Sequence, residues 1–557
     1  MVEMPAVGDP WKNMRAIDLY AGIGGWGLGL KLADIELVAS YERWKPAIAT
    51  HNGNLGGDIE PVDIRKLELA DLPADIDLVV GSPPCTEFSY SNRGGSGNIA
   101  EGMKDLVKFF EVVAHLKPRF WAMENVPRVA EVLRHGFADP EHALYRFRRL
   151  KPEIEVVDFS DYGAPQARRR CIATNIPLSK VKAYRDQIEA RTLGDVINAL
   201  AAADEVVDPV WGIALTREEV TELEAEAPLN AEELRMNREA KTFHPVYNNM
   251  AFPDPLDEAA RTVTATCTRV SRESIVIADP RAEGSFRRLT IRERGLLQGF
   301  PITYQFYARS FAEKAKMIGN AIPPTFTHLL ALAAKNVSPE DFEGLTIAGE
   351  ALALPAKKAP VTLPDREGRT YPMSRGFRAA LPGLRFKSGM RFELANIATL
   401  DSAEWRVRFF FGNSKDVREI ELGGDVTRDL KQNPIFSEIL GAFQGELTRA
   451  AQALSVTAPL DLQRVWAHKA EGTGPFEVVD KLGALAEMLQ KRFLDILGKE
   501  EQPAIVDYVL AVASGDENKE LIGRAKLSRY AMPILAGLVV GEWFNGLDWH
   551  KEQQIAA

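Results

Sequence analysis

From Arg15 onward the chain alternates short apolar runs with longer amphipathic ones. RAIDLYAG, IELVASYE, DIDLVVGSPP and RFWAMENVP read as buried strands, and LVKFFEVVAHL, between the last two, spaces its apolar residues as a helix does. Strands alternating with helices predict an α/β fold, a mostly parallel sheet with helices on both faces, whose ligands bind at the carboxyl ends of the strands.

Over residues 179–287 the alternation breaks. LTREEVTELEAEAP is acidic and helix-like, HPVYNNMAFPDPLDE is rich in turn formers, and the region reads as an insert. Helical periodicity returns over 288–340. Residues 341–365, rich in alanine and proline in AGEALALPAKKAPVTLP, read as a linker. Beyond it, RFELANI and EWRVRFFF predict strands, and ELTRAAQAL, VVDKLGALAEMLQKRFLDIL and AIVDYVLAVA predict helices, of a separate α+β domain over 366–557.

The three cysteines, Cys85, Cys171 and Cys267, are too few and too dispersed for a disulfide framework or a clustered zinc site, which points to a reducing cytoplasm. The N-terminus lacks the basic start and apolar core of a signal peptide. The longest apolar stretch, residues 531–540, is too short to span a bilayer, so no membrane partner is expected. A net charge of −10 gives no whole-molecule attraction for nucleic acid, which would have to meet a local basic surface.

Chemistry concentrates where predicted strands end. In AIDLYAGIGGWGLGL a strand carrying Asp18 passes through Gly22, Gly24 and Gly25 into a helix, a turn in which the backbone can approach a ligand closely. Glu42 ends the next strand, either to accept hydrogen bonds from a ribose or as a solvated strand-end carboxylate. Asp63 either meets an adenine amine or caps the segment after it. In GSPPCTEFSYSNRGGSGN, Pro83 and Pro84 stiffen the strand exit and present Cys85 in a polar loop, a setting that suits a thiolate nucleophile better than a buried small hydrophobe. RFWAMENVPRV ends in Glu124 and Asn125, read either as a helix cap or as a sheltered carboxyl that shares a proton near neutrality. In DYGAPQARRRCIA the alternation sends Arg168 and Arg170 to one side, as surface charges or as ligands for phosphate or an oxyanion. By periodicity alone RRLTIRERGLLQGFP is a core helix and MIGNAIPPTF a capped turn.

With these residues assembled, the sequence resembles the DNA cytosine-5 methyltransferase family. DLYAGIGG, SPPC followed by FS, the Glu-Asn-Val triplet, Gln-x-Arg-x-Arg, RxLTxRExxxLQGFP and GNAIPP occur in the family's order across residues 15–326. The resemblance implies a Rossmann-like methyltransferase fold using S-adenosylmethionine and no metal. The implied cofactor residues are Asp18, Tyr20, Gly22, Ile23, Gly24, Glu42, Asp63, Ile64, Ser82, Pro84, Leu106, Asn320 and Ile322. It also implies that Cys85 attacks carbon 6 of a flipped-out cytosine and that Glu124 hydrogen-bonds or protonates N3, oriented by Asn125. Arg170 then holds the base carbonyl, and Arg168 serves the active-site loop or phosphate. Residues 89–98, with Ser89 and Arg93, are expected to act as a lid. Thr86 stands where the family more often has glutamine.

In this family the insert carries target recognition. Glu218, Glu219 and Glu222 would repel phosphate, which narrows the DNA-reading part to His244, Asn248, Thr264, Thr266, Thr268, Arg269 and Arg272, with Gln166 beside it. The C-terminal domain lies outside the resemblance. Arg375, Arg378, Arg385, Lys387, Arg391, Arg406 and Arg408 among Phe377, Phe386, Phe392 and Trp405 suit either nucleic acid or half-buried strands. The expected partners are double-stranded DNA and a cognate restriction enzyme or other bacterial or phage defence proteins. RNA methylation and an inactive DNA-binding regulator are the alternatives. A large insert speaks against RNA, and intact Cys85, Glu124 and Arg170 speak against the regulator.

Overall fold

In the computed structural model, which describes residues 13–84, 99–242, 249–266, 268–363, 370–386, 389–413, 416–455, 457–498, 501–514 and 521–547, the first apolar runs become one sheet. Its elements in chain order are β1 (Arg15–Leu19), α1 (Gly25–Leu32), β2 (Glu36–Tyr41), α2 (Lys45–Leu55), β3 (Leu78–Gly81), α3 (Ile99–Leu116), β4 (Phe120–Asn125), α4 (Val129–Ala138), β5 (Glu153–Asp158), β6 (Gln166–Ala167) and β7 (Arg169–Thr174). The six-stranded sheet has the order β2-β1-β3-β4-β7-β5. β2, β1, β3 and β4 run parallel, and β7 runs antiparallel to both its neighbours. From β1 the chain moves to one side for β2 and to the other for β3, so a crevice opens at the end of β1.

Alternate residues of each strand feed two cores, as the period of two requires. Ile17, Val79, Trp121 and Met123 pack with Phe109 and Phe110 of α3. Ala16, Leu78, Val80 and Ala122 pack with Trp26 and Leu30 of α1 and with Phe326 and Leu330.

After β7 come α5 (Leu178–Lys182), α6 (Leu193–Ala201), the hairpin β8 (Glu205–Val207) and β9 (Ala214–Thr216), α7 (Ala231–Thr242), β10 (Ala260–Arg261), β11 (Val276–Ala278), β12 (Phe286–Arg288), α8 (Ile291–Leu297), α9 (Phe311–Asn320), α10 (Pro324–Ala334) and the short α11 (Leu345–Gly349). The core helix expected in RRLTIRERGLLQGFP is α8, started by a capping box between Thr290 and Glu293.

The acidic stretch 215–228 is not the helix its periodicity suggests. β9 ends within it, Glu222 takes a left-handed φ of 65°, and the next helix starts at Ala231. Its carboxylates serve tertiary contacts instead: Glu222 pairs with buried Lys314, and Glu226 pairs with Arg288 and Arg269. Stranding those buried cations would cost several kcal/mol, against a few tenths per residue of helix propensity, so the ion pairs win. Glu222 is therefore no part of an exposed, phosphate-repelling face.

The stretch read as a linker is also packed where it is described. A Cβ on Gly349 would come within 2.0 Å of the Trp211 carbonyl oxygen, and Leu345 joins Val210 and Trp211 in a small core. Farther on, Ala359 N–H donates to Gln305 Oε1 at 3.1 Å, Thr362 bonds Glu222 through its N–H and hydroxyl, and Lys314 donates to the Pro360 carbonyl.

The chain forms two compact units, Met1–Arg238 with Ala251–Asp365, and Glu239–Met250 with Arg366–Ala557. In the second, β13 (Arg378–Arg385), β14 (Arg391–Ala398), β15 (Ala403–Asn413) and β16 (Asp416–Ile420) form an antiparallel meander. It is followed by α12 (Asp425–Leu430), α13 (Pro434–Ser455), α14 (Pro459–His468), α15 (Pro475–Ile496), α16 (Gln502–Ser514), α17 (Arg524–Ser528) and α18 (Ala531–Asn545). The apolar stretch near residue 531 is the buried α18, and a Cβ on its Gly537 would lie 2.6 Å from the Phe392 ring. Among the described residues no helix is long and apolar enough to cross a membrane.

The aromatics weighed for nucleic acid contact, Phe377, Phe386, Phe392 and Trp405, are buried in this core. On the sheet's other face Arg378, Arg391 and Arg408 lie 5.1, 4.4 and 5.3 Å from the Phe410 ring centre and are paired with Glu393 or Glu419. Two carboxylates offset most of the positive charge there.

Candidate active site

Four parallel strands end at one edge of the sheet, and antiparallel β7 begins there. The register pairs Glu124 with Ile172 and Asn125 with Cys171, which brings the preceding Arg170 beside Glu124. Arg170 Nε lies 3.1 Å from Glu124 Oε1, with side chains only 15% and 8% exposed, so solvent screens this pair little. Arg170 Nη1 also donates to the Arg169 carbonyl at 2.8 Å, and the remaining donors of the guanidinium with the carboxylate can address the carbonyl and ring nitrogen of a planar base.

Asn125 does not orient Glu124 by any hydrogen bond of its carboxamide in the structure. Its Nδ2 donates to the Pro83 carbonyl at 3.0 Å and its Oδ1 accepts from Val126 N–H at 2.9 Å, so it ties the end of β4 to the Pro-Pro exit of β3. The next link on that exit, Ser82 Oγ, accepts from Trp26 Nε1 at 3.0 Å. Pro84 is half-buried. Cys85, two residues beyond the Asn125 tether, lies outside the described residues, as do Ser89, Arg93, His244, Asn248 and Lys387.

In the turn between β1 and α1, φ is positive at Tyr20 (58°), Gly22 (55°) and Gly24 (91°). Gly22 N–H donates to Glu42 Oε2 at 2.9 Å, and Glu42 Oε1 accepts from Arg43 and Trp44 N–H, each at 2.8 Å. Glu42 is thus a backbone organiser with one acceptor site left for a ribose hydroxyl. Among the described residues nothing lies within 4 Å of where a Cβ on Gly22 would point. Asp18 is fully buried, and among the described residues only the Gly27 N–H faces its carboxylate, too far or too oblique for a full hydrogen bond. Burial and then the Glu42 charge hold its carboxyl well above the usual range, offset in part by Gly27 N–H.

Asp63 caps the turn after it, accepting from Arg65 N–H at 3.2 Å, and Ile64 is buried beside it. A bridge from Glu42 to Pro61 brings this turn alongside the end of β2. Ile23 and Leu106 are core residues. Asn320 ends α9 exposed, and Ile322 lies against α1, where a Cβ on Gly25 would sit 2.2 Å from its carbonyl oxygen. Part of the glycine-rich run therefore serves helix packing.

Three assignments change. Gln166 is fully buried, with Nε2 donating to Leu297 O (2.8 Å) and Gln298 Oε1 (2.7 Å) and Oε1 accepting from Val263 N–H (2.9 Å), so it braces the fold instead of touching DNA. Arg168 points its guanidinium at the carbonyls of Val263, Gly319 and Ala321, at 3.1, 2.8 and 3.2 Å, and is a brace, not a phosphate ligand. Arg269 is buried between Glu226 and Glu233 and holds the insert together. Thr266 and Thr268 are exposed, and Thr264 and Arg272 half-buried.

Two residues that the sequence reasoning missed belong to this edge. Asp105 of α3 receives the Tyr20 hydroxyl at 3.2 Å and a bidentate grip from Arg65. The available signal was an acidic residue on the apolar stripe of α3.

Residues 14–336 match the family described as C-5 cytosine-specific DNA methylase. The chain belongs to that family. C-5 cytosine methylases are S-adenosylmethionine-dependent DNA cytosine methyltransferases, and this chain is one. It is 26% identical over 358 residues to the Type II methyltransferase M.MthTI of Methanothermobacter thermautotrophicus, covering 60% of this chain and 99% of the relative. To M.NgoPII of Neisseria gonorrhoeae it is 26% identical over 350 residues, covering 58% and 96%. Among solved structures, the Dnmt2 methyltransferase of S. pombe aligns at 17% identity with a TM-score of 0.43, covering 59% of this chain and all of that one. The methylase match ends at residue 336, so the second unit is additional to it except for residues 239–250.

Proposed function

We propose that this methylase acts at a specific sequence in duplex DNA, through a covalent adduct between Cys85 and carbon 6 of a flipped-out cytosine, in a restriction-modification or related defence setting. The observation that carries the reading is the Glu124–Arg170 pair at the strand edge, buried at Glu124 and half-buried at Arg170, with Asn125 of the same strand tethering Pro83 just ahead of Cys85. The naming of its relatives as Type II methyltransferases supports the setting.

Carbon 6 is shielded in a stacked duplex, so the base must leave the helix at a cost of a few kcal/mol. Cys85 thiolate then adds to carbon 6, and the electron pair of the 5,6 double bond moves toward N3 and carbon 5. Glu124 donates a proton to N3, which neutralises the charge that arrives there, and Arg170 holds the base carbonyl oxygen. With the donor bound, its S–CH3 bond would break as carbon 5 takes the methyl group; the carbon 5 proton then passes to a base, and elimination of the Cys85 thiolate restores the 5,6 double bond.

S-adenosylmethionine supplies, when bound, an electrophilic sulfonium methyl. The residues present fit it: buried Asp18 keeps acceptor capacity that a nearby cation would use, Gly22 leaves an open cradle, and Glu42 and Asp63 retain acceptor capacity for ribose and adenine. Tyr20, Ile64, Ser82 and Pro84 flank this edge, with Asn320 and Ile322 contributed from GNAIPP.

The test is expression in a host free of 5-methylcytosine, with conversion sequencing of its genome. Methylation at one recurring motif, absent for Cys85→Ala, is expected. Glu124→Gln should bind DNA yet lose on the order of 10²–10⁴ in kcat, the usual share of a positioned acid. Soluble protein with no genomic methylation, or full activity in Cys85→Ala, would overturn the reading.

A further inference from the structure

At the same edge of the sheet lies a buried cluster that the catalytic steps do not use. Asp105, on the inner side of α3 and only 5% exposed, is held by two segments far from it in sequence. Arg65 donates to it twice, Nε to Oδ1 at 2.9 Å and Nη2 to Oδ2 at 2.7 Å, and the Tyr20 hydroxyl donates to Oδ1 at 3.2 Å. Arg65 is further anchored at the start of α3, by the Glu101 carboxylate and, at 3.1 Å, by its carbonyl oxygen.

Each segment carries a face of the pocket assigned above. Tyr20 is the first residue after β1 and holds a left-handed φ that a non-glycine residue adopts only when its surroundings impose it. Arg65 closes the turn that begins at Asp63 and buries Ile64. A carboxylate this far from water keeps its charge only with charged or well-aligned donors, and a bidentate guanidinium adds fixed geometry to the attraction. Burial and then the neighbouring Asp105 charge push the Tyr20 phenol above its usual range, so the ring stays a donor.

We infer that Asp105 is a positioning residue for the cofactor. Through Tyr20 and Arg65 it sets the distance between the loop after β1 and the Asp63 turn, and so the affinity for S-adenosylmethionine without touching the reacting base. The inference rests on the proposed cofactor pocket.

The test uses the full chain and measures binding of S-adenosylhomocysteine by calorimetry, with KM for S-adenosylmethionine and for DNA and the melting temperature alongside. Asp105→Ala should weaken binding on the order of tenfold or more, the effect of losing hydrogen bonds to a charged group. KM for the cofactor should rise in step, and KM for DNA should stay within about twofold, well under the tenfold that one such hydrogen bond is worth. Asp105→Asn keeps an acceptor for Tyr20 but cannot hold Arg65 in the same way, so its affinity should fall between the two.

A folded Asp105→Ala that binds like wild type, or that weakens cofactor and DNA equally, overturns the inference. If Asp105→Ala does not fold, Tyr20→Phe and Arg65→Ala each remove one arm, and unchanged affinity in both overturns it as well. Wild-type protein that fails to bind S-adenosylhomocysteine would bring down the pocket and the inference together. Binding by wild type and variants alike would bring down only the inference.

Discussion

At the scale of single residues, the site depends on polar groups whose partners are distant in sequence. Asn125 is separated by a whole helix from the Pro83 carbonyl it binds. Asn125→Ala should leave that carbonyl unpaired and the approach to Cys85 loose, at a cost of about 1–3 kcal/mol. The loss is expected in kcat and in the rate of covalent trapping on 5-fluorocytosine DNA, with cofactor binding unchanged. Arg269 gives the opposite expectation from a DNA contact. Arg269→Ala removes a buried cation from between the Glu226 and Glu233 carboxylates, leaving Glu226 with Arg288 as its remaining guanidinium, and should destabilise the protein by roughly 3–5 kcal/mol in urea unfolding, while sequence preference at permissive temperature stays the same. The sequence marks both residues as polar and leaves open what they bind, because an arginine at a groove and an arginine in an ion-pair cage have the same local pattern.

At the scale of elements, the buried runs that end in charged or glycine-rich turns were legible, and the strands and α3 stand where the apolar pattern puts them. The acidic stretch 215–228 is not the helix its periodicity suggests, and residues 341–365 are packed where they are described, for one reason. Their local propensity is weak, and their conformation is set by Lys314, Gln305 and Trp211, which come from other parts of the chain. Lys314 is the junction, joining Glu222 of the insert to the Pro360 carbonyl from its place on α9. Lys314→Met should cost roughly 3–5 kcal/mol by leaving Glu222 buried without its cation. Cleavage within residues 355–363 by a protease should quicken in parallel, and unchanged cleavage would show that the strap does not depend on this ion pair.

At the scale of the whole molecule, two buried imidazoles couple stability to pH. Burial holds His51 and His328 at a pKa of about 4, against 6.5 for the free ring. Between those values the unfolded chain takes up a proton at each ring and the folded chain does not. Stability is therefore complete above about pH 6.5 and is lost as pH falls toward 4, by roughly 3 kcal/mol per histidine. Asp18 and Asp208 act in the other direction: their raised folded values favour the native state at low pH and forfeit that share as pH rises through them. Urea midpoints measured between pH 4.5 and 7 should rise with pH, since two histidines shifted this far act together. The slope should be shallower in His51→Leu, and a slope equal to wild type would mean that this ring is protonated in the folded state.

The sequence by itself determined the α/β class, the edge where chemistry gathers and the membership in the methylase family. Strand runs, positive-φ glycines and paired prolines act through the local backbone, and local rules suffice to read them. Only the tertiary structure decided which polar residue meets which. It gave Arg170 to Glu124 but Arg168 to three carbonyls, Asn125 to Pro83, and Asp105 to Tyr20 and Arg65. The physical reason is that a buried polar group must be satisfied by whatever donor or acceptor the packed chain brings within about 3 Å, and that neighbour is seldom near in sequence.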